Sequence, residues 1–335
     1  MMKEALFYKK LKDKVVQCKL CPRICTIKQG NRGNCGVREN TDGKLYSLSY
    51  GKPVSIVLDP IEKKPLYHFL PNQQTLSIAT AGCNLHCLYC QNWEISQCKP
   101  EKAPSFSMSP ERIIEEAIMR KVNIISYTYT EPTIFYEYMR DIARLAREKK
   151  INNATVTNAF INPEPLKEIC KYLNASNVDF KGSDKFYKEL SGAWRKPVEE
   201  AIKIMFEKGV WIELTNLIIP GHNDKEKDII EIINWIKKNL DVNVPLHFSA
   251  FYPAYKMLST EPTRSKIVVK ARQIAMDAGL HYVYTGNIND IKGSTTYCPK
   301  CKEPIIIRTG FMVKENRLIK GKCPKCGEKI AGVWK

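Results

Sequence analysis

Between residues 71 and 290, short apolar runs alternate with longer segments in which apolar residues recur at helical spacing. The short runs are rich in β-branched and aromatic residues, which is typical of buried parallel strands. The predicted strands are 75–81, 124–130, 154–159, 177–182, 211–219, 246–252 and, at the edge, 281–286. The longer segments predict amphipathic helices. Regular alternation of strand and helix predicts an α/β fold with a parallel sheet.

The first predicted helix has a start signal in SPERIIEEAIMRK, where Ser109 can cap the helix and Pro110 occupies its first turn. Polar residues recur where the predicted strands end. They are Thr130, Glu131, Asn158, Asp179, Lys181, Asn216 and His247. Functional groups collect at this edge in both open sheets and barrels. Because no G-x-G-x-x-G turn marks a dinucleotide site, we expect a barrel or partial barrel.

The 335 residues contain no run of eighteen apolar residues, so we expect no transmembrane helix. The N-terminal stretch MMKEALFYKKLKDKVV is too charged for a signal peptide, and we therefore expect a cytoplasmic protein. The formal net charge is +18. This charge fits either a solvated lysine-rich surface or an acidic partner.

The chain contains 13 cysteines, and most of them lie in three local clusters, which favours metal or redox use in a reducing compartment. The clusters predict an N-terminal cysteine module over 1–70, a barrel over 71–290 and a C-terminal module over 291–335. Cys98 and Cys170 lie outside the clusters. Cys170 falls on an apolar-periodic helix, and we expect it to be a buried structural thiol.

The N-terminal cluster has the form C-x2-C-P-x2-C-x9-C-G and lies among turn signals such as KQGNRGNCG and TDGK. Its members are Cys18, Cys21, Cys25 and Cys35. This spacing fits a structural zinc and an auxiliary [4Fe–4S] cluster equally well, and both interpretations stay open.

The C-terminal cluster has the form C-P-K-C…C-P-K-C-G and flanks a predicted strand–turn–strand unit, PIIIRTGFMVKENRLIKGK. Its members are Cys298, Cys301, Cys323 and Cys326. Four thiolates close the coordination shell of zinc, which predicts a structural zinc-ribbon or rubredoxin-like module. So small a module needs a metal to fold. Recognition of nucleic acid or protein by this module stays open.

The central cluster lies in TAGCNLHCLYCQNW, directly after the first predicted strand, and contains only Cys83, Cys87 and Cys90. Most zinc and iron–sulfur sites use four protein ligands. Three thiolates can bind three irons of a [4Fe–4S] cluster and leave the fourth iron open to another ligand. One alternative is a zinc site completed by His86, whose position beside Cys87 makes that geometry awkward. The other is that the three thiols are unrelated.

This C-x3-C-x2-C frame resembles the signature of radical S-adenosylmethionine (SAM) enzymes. The motif C-x-x-x-C-L-Y-C-x-N is similar to that of the glycyl-radical-enzyme activases, such as pyruvate formate-lyase activating enzymes. From about Glu4 to Trp334 the chain resembles the radical SAM member of the AmmeMemoRadiSam systems. The resemblance implies a partial (β/α)6 barrel with SAM at the open iron. Reductive cleavage of SAM would give a 5′-deoxyadenosyl radical that abstracts hydrogen.

The resemblance also implies roles near the cysteine loop. Tyr89 occupies the place of an aromatic that contacts adenine, with a core aromatic as the alternative. Glu131 matches the acid of a G-G-E motif that binds the SAM amino group, but Tyr129 and Thr130 replace both glycines. Thr130, directly before Glu131, is also predicted to contact SAM. A carboxylate at a helix N-terminus is the alternative for Glu131.

Further along, VDFKG resembles the D-L-K motif of the activases. Asp179 would contact the SAM amine or ribose and Lys181 its carboxylate, with an internal ion pair as the alternative. Asn158 resembles a position that contacts ribose. Asn216 and His247 are weaker candidates, because polar residues at strand ends often only bind nearby loops.

The resemblance implies an enzyme that abstracts hydrogen from a protein or peptide partner, as an oxidoreductase of the activase type. The basic charge would suit an acidic flavodoxin or ferredoxin as electron donor. The same chemistry on RNA or a phosphorylated small molecule is the first alternative. A metal-stabilised adaptor without activity is the second, although no motif cysteine is lost. The sequence assigns no catalytic side chain beyond the cofactor ligands.

Overall fold

The computed structural model describes residues 2–335. The N-terminal part forms two small sheets with strand orders β1-β6-β5 and β2-β3-β4. These strands are β1 (Lys3–Glu4), β2 (Tyr8–Lys10), β3 (Val16–Cys18), β4 (Thr26–Ile27), β5 (Arg38–Thr41) and β6 (Lys44–Ser47). The turn between β5 and β6 uses Asp42 and Gly43, both with positive φ, as the TDGK signal predicts.

The central part contains the large sheet. Its strands are β7 (Pro53–Pro60), β8 (Gln74–Thr80), β9 (Ile124–Tyr127), β10 (Asn152–Thr157), β11 (Ala175–Asp179), β12 (Trp211–Ile218), β13 (Leu246–Ala250) and β14 (Val283–Gly286). The helices are α1 (Trp93–Ser96), α2 (Pro110–Met119), α3 (Tyr136–Glu148), α4 (Pro163–Ile169), α5 (Asp184–Phe186), α6 (Arg195–Glu207), α7 (Glu226–Asn239), α8 (Ser265–Asp277) and α9 (Ile291–Ser294). No helix within residues 2–335 has the length and apolar character needed to cross a bilayer.

The large sheet has the strand order β14-β13-β12-β11-β10-β9-β8-β7. Strands β8 to β14 are parallel, and each lies beside its predecessor along the chain. When successive strands are always added at the same edge of the sheet, the sheet curves into a barrel. In a doubly wound sheet, the order in which strands are added reverses partway along the chain. Strand–helix units run from β8–α2 to β13–α8, and β14 follows them. The predicted α/β fold with a partial (β/α)6 barrel is therefore confirmed.

Strand β7 was not predicted, and it lies inside the range assigned to the N-terminal module. It pairs antiparallel with β8 and so extends the barrel sheet by one edge strand. Its side chains Val57 and Leu58 are exposed and prolines stand at both of its ends, which is compatible only with an edge position. Because exposed and buried positions do not alternate regularly along β7, its sequence carries no clear strand pattern. In residues 2–335, β7 and β14 are the unpaired edges of this sheet, so the barrel is open at one side.

Helix α2 begins at the start signal that the sequence analysis identified. Ser109 caps α2, since its hydroxyl accepts a hydrogen bond from the Arg112 N–H at 3.3 Å. On β8, Leu76 and Ile78 pack into the core beneath the helices, while Thr75 and Ser77 alternate with them and face the barrel interior. Strand β8 therefore has an apolar outer face and a polar inner face.

Residues 61–70 close the lower end of the barrel, where the strands begin. Ile61, Leu66 and Phe69 lie in an apolar cluster with Ile124 and Ala175 from the first positions of two strands. We call residues 61–70 the plug segment. Because its side chains fill the strand-start end, the interior is left open at the strand-end side.

Backbone and side-chain hydrogen bonds fix the plug segment to the barrel. The Tyr67 and His68 N–H groups donate to the Glu213 carboxylate at 3.0 and 2.7 Å, and His247 Nε2 donates to it at 2.7 Å. Burial alone would raise the pKa of Glu213, but the His247 hydrogen bond and its neighbours hold it below its usual value. Glu213 is thus a buried carboxylate with its partners supplied by two separate parts of the chain.

The C-terminal part carries β15 (Thr296–Tyr297), β16 (Pro304–Thr309) and β17 (Met312–Asn316) in an antiparallel sheet. The turn from β16 to β17 contains Gly310 with positive φ, as predicted for the strand–turn–strand unit. Arg308 on β16 is fully buried and donates to the Tyr67 carbonyl at 2.7 Å. Its Nε lies 3.6 Å from the Glu62 carboxylate. Arg308 therefore joins the C-terminal sheet to the plug segment.

We predict that Arg308→Met destabilises the protein, because it leaves the Glu62 carboxylate and the Tyr67 carbonyl buried without their partner. Breaking a buried ion pair from one side costs about 3–5 kcal/mol, which corresponds to a fall in unfolding temperature of about 5 °C or more. Thermal unfolding followed by circular dichroism measures the change. The matched control is Arg317→Met, since Arg317 is partly exposed and pairs at the surface. Equal unfolding temperatures for both variants would contradict the prediction.

Candidate functional site

The cysteine loop begins where β8 ends and is pressed against the N-terminal module. Gly82 has φ of +99°, and a Cβ there would stand 3.0 Å from the Cys35 carbonyl and collide with Val37. Further along, the His86 and Leu88 N–H groups donate to the carbonyls of residues 191 and 190 at 3.0 and 2.9 Å. These contacts hold the loop across the strand-end side of the barrel.

Cys83, Cys87 and Cys90 line one cavity of about 380 Å³ at this side. Six of the eight residues predicted to contact SAM line it as well: Tyr89, Thr130, Glu131, Asn158, Asp179 and Lys181. The three sulfurs do not all lie within 4.8 Å of one another, since within residues 2–335 only the C-terminal cysteines form such a group. Wider spacing suits three thiolates that bind three different irons. The donor set therefore fits a [4Fe–4S] cluster with one open iron.

His86 does not complete this donor set. Its Nδ1 lies 2.9 Å from the Gln97 side-chain oxygen, and its Nε2 lies 2.8 Å from the Asn34 side-chain oxygen. Both ring nitrogens are therefore occupied on the side of the N-terminal module. The arrangement does not support a zinc site completed by His86.

Tyr89 is a buried aromatic that also borders the cavity. Its ring packs 5.8 Å from the Phe186 ring. Its hydroxyl lies 3.1 Å from the Ser191 hydroxyl. Burial raises the pKa of Tyr89 well above its usual value, so the hydroxyl stays protonated. The ring can present a flat face to a ligand because packing fixes its orientation.

The Glu131 carboxylate joins the segment after β9 to the end of β10 through hydrogen bonds. Its carboxylate accepts hydrogen bonds from the Thr133 N–H at 3.0 Å, the Thr157 hydroxyl at 2.8 Å and the Asn158 N–H at 2.8 Å. Burial raises the pKa of Glu131, and these hydrogen bonds oppose the shift. Thr130 beside it donates to the Thr80 carbonyl at 2.8 Å. The carboxylate at the start of the helical turn Pro132–Phe135, one of the two alternatives, is thus present in the structure.

Asp179 and Lys181 form the internal ion pair that the sequence left as an alternative, with 2.8 Å between Nζ and Oδ2. Both side chains nevertheless line the cavity. Burial alone would lower the pKa of Lys181, but Asp179 raises it well above its usual value. The Lys181 ammonium is therefore charged and lies 5.7 Å from the centre of the Tyr89 ring.

Asn158 joins the end of β10 to the cysteine loop. Its Nδ2 donates to the Asn84 side-chain oxygen at 3.0 Å and lies 3.9 Å from the Cys83 sulfur. Its Oδ1 accepts from the Phe160 N–H at 2.9 Å. The residue therefore contacts the candidate cluster loop directly and borders the cavity beside it.

Asn216 and His247 do not line the cavity, which corrects two of the predicted ligand contacts. Asn216 shares the outward face of β12 with Leu214, and its Nδ2 donates to the carbonyls of Phe180 and Lys181 at 2.9 and 3.1 Å. His247 faces inward but lies low in the barrel, where it binds Glu213. Asn216 is absent from the cavity lining because its side chain lies on the outer face of β12. His247 is absent because it lies too near the start of β13.

The cavity includes residues that the sequence analysis missed. Thr215 and Ser249 lie on the inward faces of β12 and β13, and the alternation of apolar residues on those strands could have identified them. Lys63 and Lys64 come from the plug segment, for which no sequence signal predicted a position inside the barrel. Tyr129 also borders the cavity, with φ of +64°.

Lys64, Asp59 and Tyr129 form a polar group on the cavity wall. The Lys64 Nζ lies 2.8 Å from Asp59 Oδ2 and 4.2 Å from the Tyr129 ring centre, and the Tyr129 hydroxyl donates to Asp59. Burial lowers the pKa of Lys64 to about 8, although Asp59 opposes the shift. Burial alone would raise the pKa of Asp59, but hydrogen bonds from the two lysines and Tyr129 hold it well below its usual range.

The two flanking cysteine clusters also assemble. The C-terminal sulfurs all lie within 4.8 Å of one another, with Cys298–Cys326 and Cys301–Cys323 each at 3.6 Å, so this group could hold a metal ion. The N-terminal cysteines line a separate small cavity beside Asn84 of the central loop. The lone Cys170 is buried on the core side of the barrel, as expected.

Comparison with known proteins agrees with this geometry. Residues 77–236 match the family model of the radical SAM superfamily. An uncharacterized protein of Methanocaldococcus jannaschii is 47% identical over 331 residues, which cover 98% of this chain and 99% of that protein. The pyruvate formate-lyase-activating enzyme of Clostridium pasteurianum is 24% identical over 166 residues, 47% of this chain and 66% of that enzyme.

Among solved structures, Streptococcus suis SuiB bound to S-adenosylmethionine superposes with a TM-score of 0.50. The match has 15% sequence identity and covers 67% of this chain and 52% of that chain, so it supports the fold alone. The family model spans the cysteine loop and strands β9 to β12, which carry most of the cavity lining, and the full-length relative extends the likeness over both flanking cysteine clusters. The chain belongs to the radical SAM superfamily.

Proposed function

We propose that this protein is an activase-like radical SAM enzyme that abstracts a hydrogen atom from a protein or peptide partner. The observation that carries the proposal is the convergence of Cys83, Cys87 and Cys90 with Tyr89 and Lys181 on one cavity at the strand-end side of the barrel. When bound there, the cluster supplies the electron that cleaves SAM, and SAM supplies the group that abstracts hydrogen. The chain itself orients these groups and the partner.

The three cysteines and the six predicted contact residues that line the cavity each have a role under this proposal. The three cysteines bind three irons, and the charged Lys181 ammonium faces the SAM carboxylate, held in place by Asp179. The fixed Tyr89 ring contacts adenine. Glu131 and Asn158 position the strand ends and the cysteine loop through the hydrogen bonds that they make. Thr130 borders the ligand from the end of β9.

Two features favour a polypeptide as the partner. The barrel has unpaired edges at β7 and β14, which leaves a side entrance for a loop. Beside the cavity, Trp93 stacks on Tyr255 at 5.3 Å, and Trp93 and Tyr252 are exposed. Gln91 lines the cavity and donates to the Tyr252 carbonyl at 2.9 Å, so this aromatic surface adjoins the cavity. The likeness to an enzyme that activates pyruvate formate-lyase supports the same partner class.

The proposal also includes an electron donor, a location and a second metal. With a net charge of +18, the protein would suit an acidic flavodoxin or ferredoxin in the cytoplasm, where thiolate ligands stay reduced. The C-terminal cysteines, with sulfurs 3.6 Å apart in pairs, match the edges of a tetrahedral zinc site with Zn–S bonds of about 2.3 Å. We assign zinc to this group.

We predict that Cys90→Ala abolishes cleavage of SAM to 5′-deoxyadenosine, because it removes one of three cluster ligands. The protein is reconstituted anaerobically with iron and sulfide and then assayed with dithionite by chromatography. Cys98→Ala is the matched control, since Cys98 lies eight residues away outside the cavity lining. Equal product from both variants would contradict the cluster assignment.

We predict that Lys181→Met weakens SAM binding about tenfold or more, since a hydrogen bond to a charged group contributes about 1.5–3 kcal/mol. Equilibrium binding of SAM to the reconstituted protein measures the effect. Lys185→Met serves as control, because Lys185 is exposed and lies outside the cavity. If both variants bind SAM as the unmodified protein does, Lys181 has no role in the site.

We predict that the abstracted hydrogen comes from a polypeptide. The reconstituted protein, SAM and reductant are incubated with a fully deuterated lysate of its source cells, and deuterium in 5′-deoxyadenosine is measured by mass spectrometry. Pretreating the lysate with immobilised protease should remove the deuterium signal, whereas pretreatment with ribonuclease should not. The reverse pattern would replace the polypeptide by RNA, and a signal that survives both treatments would indicate a small molecule.

We predict one zinc per chain from the C-terminal group. Purified protein should retain this zinc in the triple variant Cys83→Ala, Cys87→Ala, Cys90→Ala and lose it in Cys323→Ser, because Cys323 is one of the four clustered sulfurs. Elemental analysis measures the content. Zinc that persists at the same level in Cys323→Ser would contradict the assignment.

A further inference from the structure

The N-terminal cysteines surround a cavity that the proposed reaction does not use. Cys18 ends β3, Cys21 and Cys25 lie in the loop before β4, and Cys35 precedes β5. All four line one cavity between the N-terminal module and the barrel. Four thiols from one strand end and two loops converge here, although no disulfide joins any of them.

The size of this cavity distinguishes between the two metals that fit the spacing. Four sulfurs bound to one zinc lie about 2.3 Å from its centre, and sulfur atoms that close leave no room for water among them. The N-terminal cysteines instead surround a cavity of about 20 Å³, which is wide enough to admit a water molecule. A zinc ion would leave much of this space empty.

The separation of the sulfurs points the same way. In the C-terminal group the four sulfurs all lie within 4.8 Å of one another, as one metal ion requires. Within residues 2–335, Cys18, Cys21, Cys25 and Cys35 contain no set of three that meets this limit. In a cubane each thiolate binds a different iron, so its ligand sulfurs must stand further apart than those around a single ion.

The surroundings of the cavity suit an iron–sulfur cluster. The Asn34 N–H donates to the Cys25 sulfur at 3.5 Å, and Arg38 Nη1 donates to the Cys18 sulfur at 3.7 Å. Hydrogen bonds to the sulfurs and a nearby positive charge stabilise the anionic cluster in its reduced state. Arg38 is buried and forms an ion pair with Glu137 of α3, which fixes its position. Leu20 and other apolar side chains line the rest of the cavity.

We propose that Cys18, Cys21, Cys25 and Cys35 bind a second [4Fe–4S] cluster in which every iron has a thiolate ligand. With no open iron, this cluster exchanges single electrons and binds neither SAM nor substrate. The assignment depends on these four residues alone and stands or falls separately from the proposed reaction.

The second cluster would lie directly behind the central one. Asn84, which follows Cys83, lines the N-terminal cavity, and Arg23 Nε from the same module donates to its carbonyl at 2.7 Å. The Gly82 backbone is packed against the Cys35 carbonyl, and His86 contacts Asn34. An electron from a reduced one-electron carrier protein would therefore pass from this cluster to the central site through adjoining loops, leaving the carrier oxidised by one electron.

The test removes the central site and asks what metal remains. The full chain with Cys83→Ala, Cys87→Ala and Cys90→Ala is reconstituted anaerobically with iron and sulfide. We expect about four irons and four sulfides per chain, and an electron paramagnetic resonance signal after reduction. Addition of SAM should leave the signal unchanged, because every iron is already ligated. A folded triple variant with two zinc ions and no iron, or a signal altered by SAM, would overturn the proposal.

A second pair of variants keeps the outcome decisive if the triple variant is unstable. In the otherwise unmodified protein, Cys25→Ser with Cys35→Ser should lower the iron content by about half, from about eight to about four per chain. Cys98→Ser with Cys170→Ser is the control, since neither residue lines a cysteine cavity, and it should leave the content at about eight. Equal iron contents in the two double variants would overturn the proposal.

Discussion

The structure depends on how the barrel buries the Glu213 carboxylate. This group lies on the inner face of β12 with no exposed surface and would be costly there without partners. It receives the N–H groups of Tyr67 and His68 from the plug segment, the Trp211 indole N–H and the His247 ring. The carboxylate can stay ionised only while the plug segment covers the lower end of the barrel. Because that end is closed, ligands have access only at the strand-end side or the open edge.

A chain of buried hydrogen bonds extends this constraint to the C-terminal module. His68 Nδ1 lies 2.6 Å from the Ala331 carbonyl and must donate to it, so its Nε2 accepts from the Tyr284 hydroxyl at 2.5 Å. Burial lowers the pKa of His68 to about 4, which agrees with a neutral ring. The Tyr284 hydroxyl in turn accepts from Thr296, and Thr296 accepts from Arg308. The donor and the acceptor of every hydrogen bond in this series are thus fixed. The plug segment is held by Glu213 of the barrel on one side and by the C-terminal module on the other. Because Lys64 belongs to the plug segment, these contacts also fix its position in the cavity wall.

The sequence predicts well those elements whose formation depends on residues close together along the chain. Strands β8 to β14 were identified because their apolar residues are dense and β-branched, and the Ser109 cap because capping involves only the next helical turn. Strand β7 was missed because an edge strand with exposed Val57 and Leu58 lacks that density. Among the candidate ligands, Asn216 was chosen for its residue type, although Thr215 beside it carries the inward parity. Residue type identifies what can bind a ligand, while alternation along the strand decides which side chain faces it.

Spacing along the chain is sufficient to predict the three cysteine groupings, the order of strands β8 to β14 with the helices between them, and the open central donor set. The separation of the sulfurs within each group depends instead on the folded structure. In the C-terminal module, two hairpin ends bring Cys298 and Cys326 to 3.6 Å. In the N-terminal module, the end of β3, two loops and the barrel hold the sulfurs around a cavity. Ligand spacing in sequence limits how far apart two sulfurs can be, whereas the packing of the surrounding segments sets how close they come.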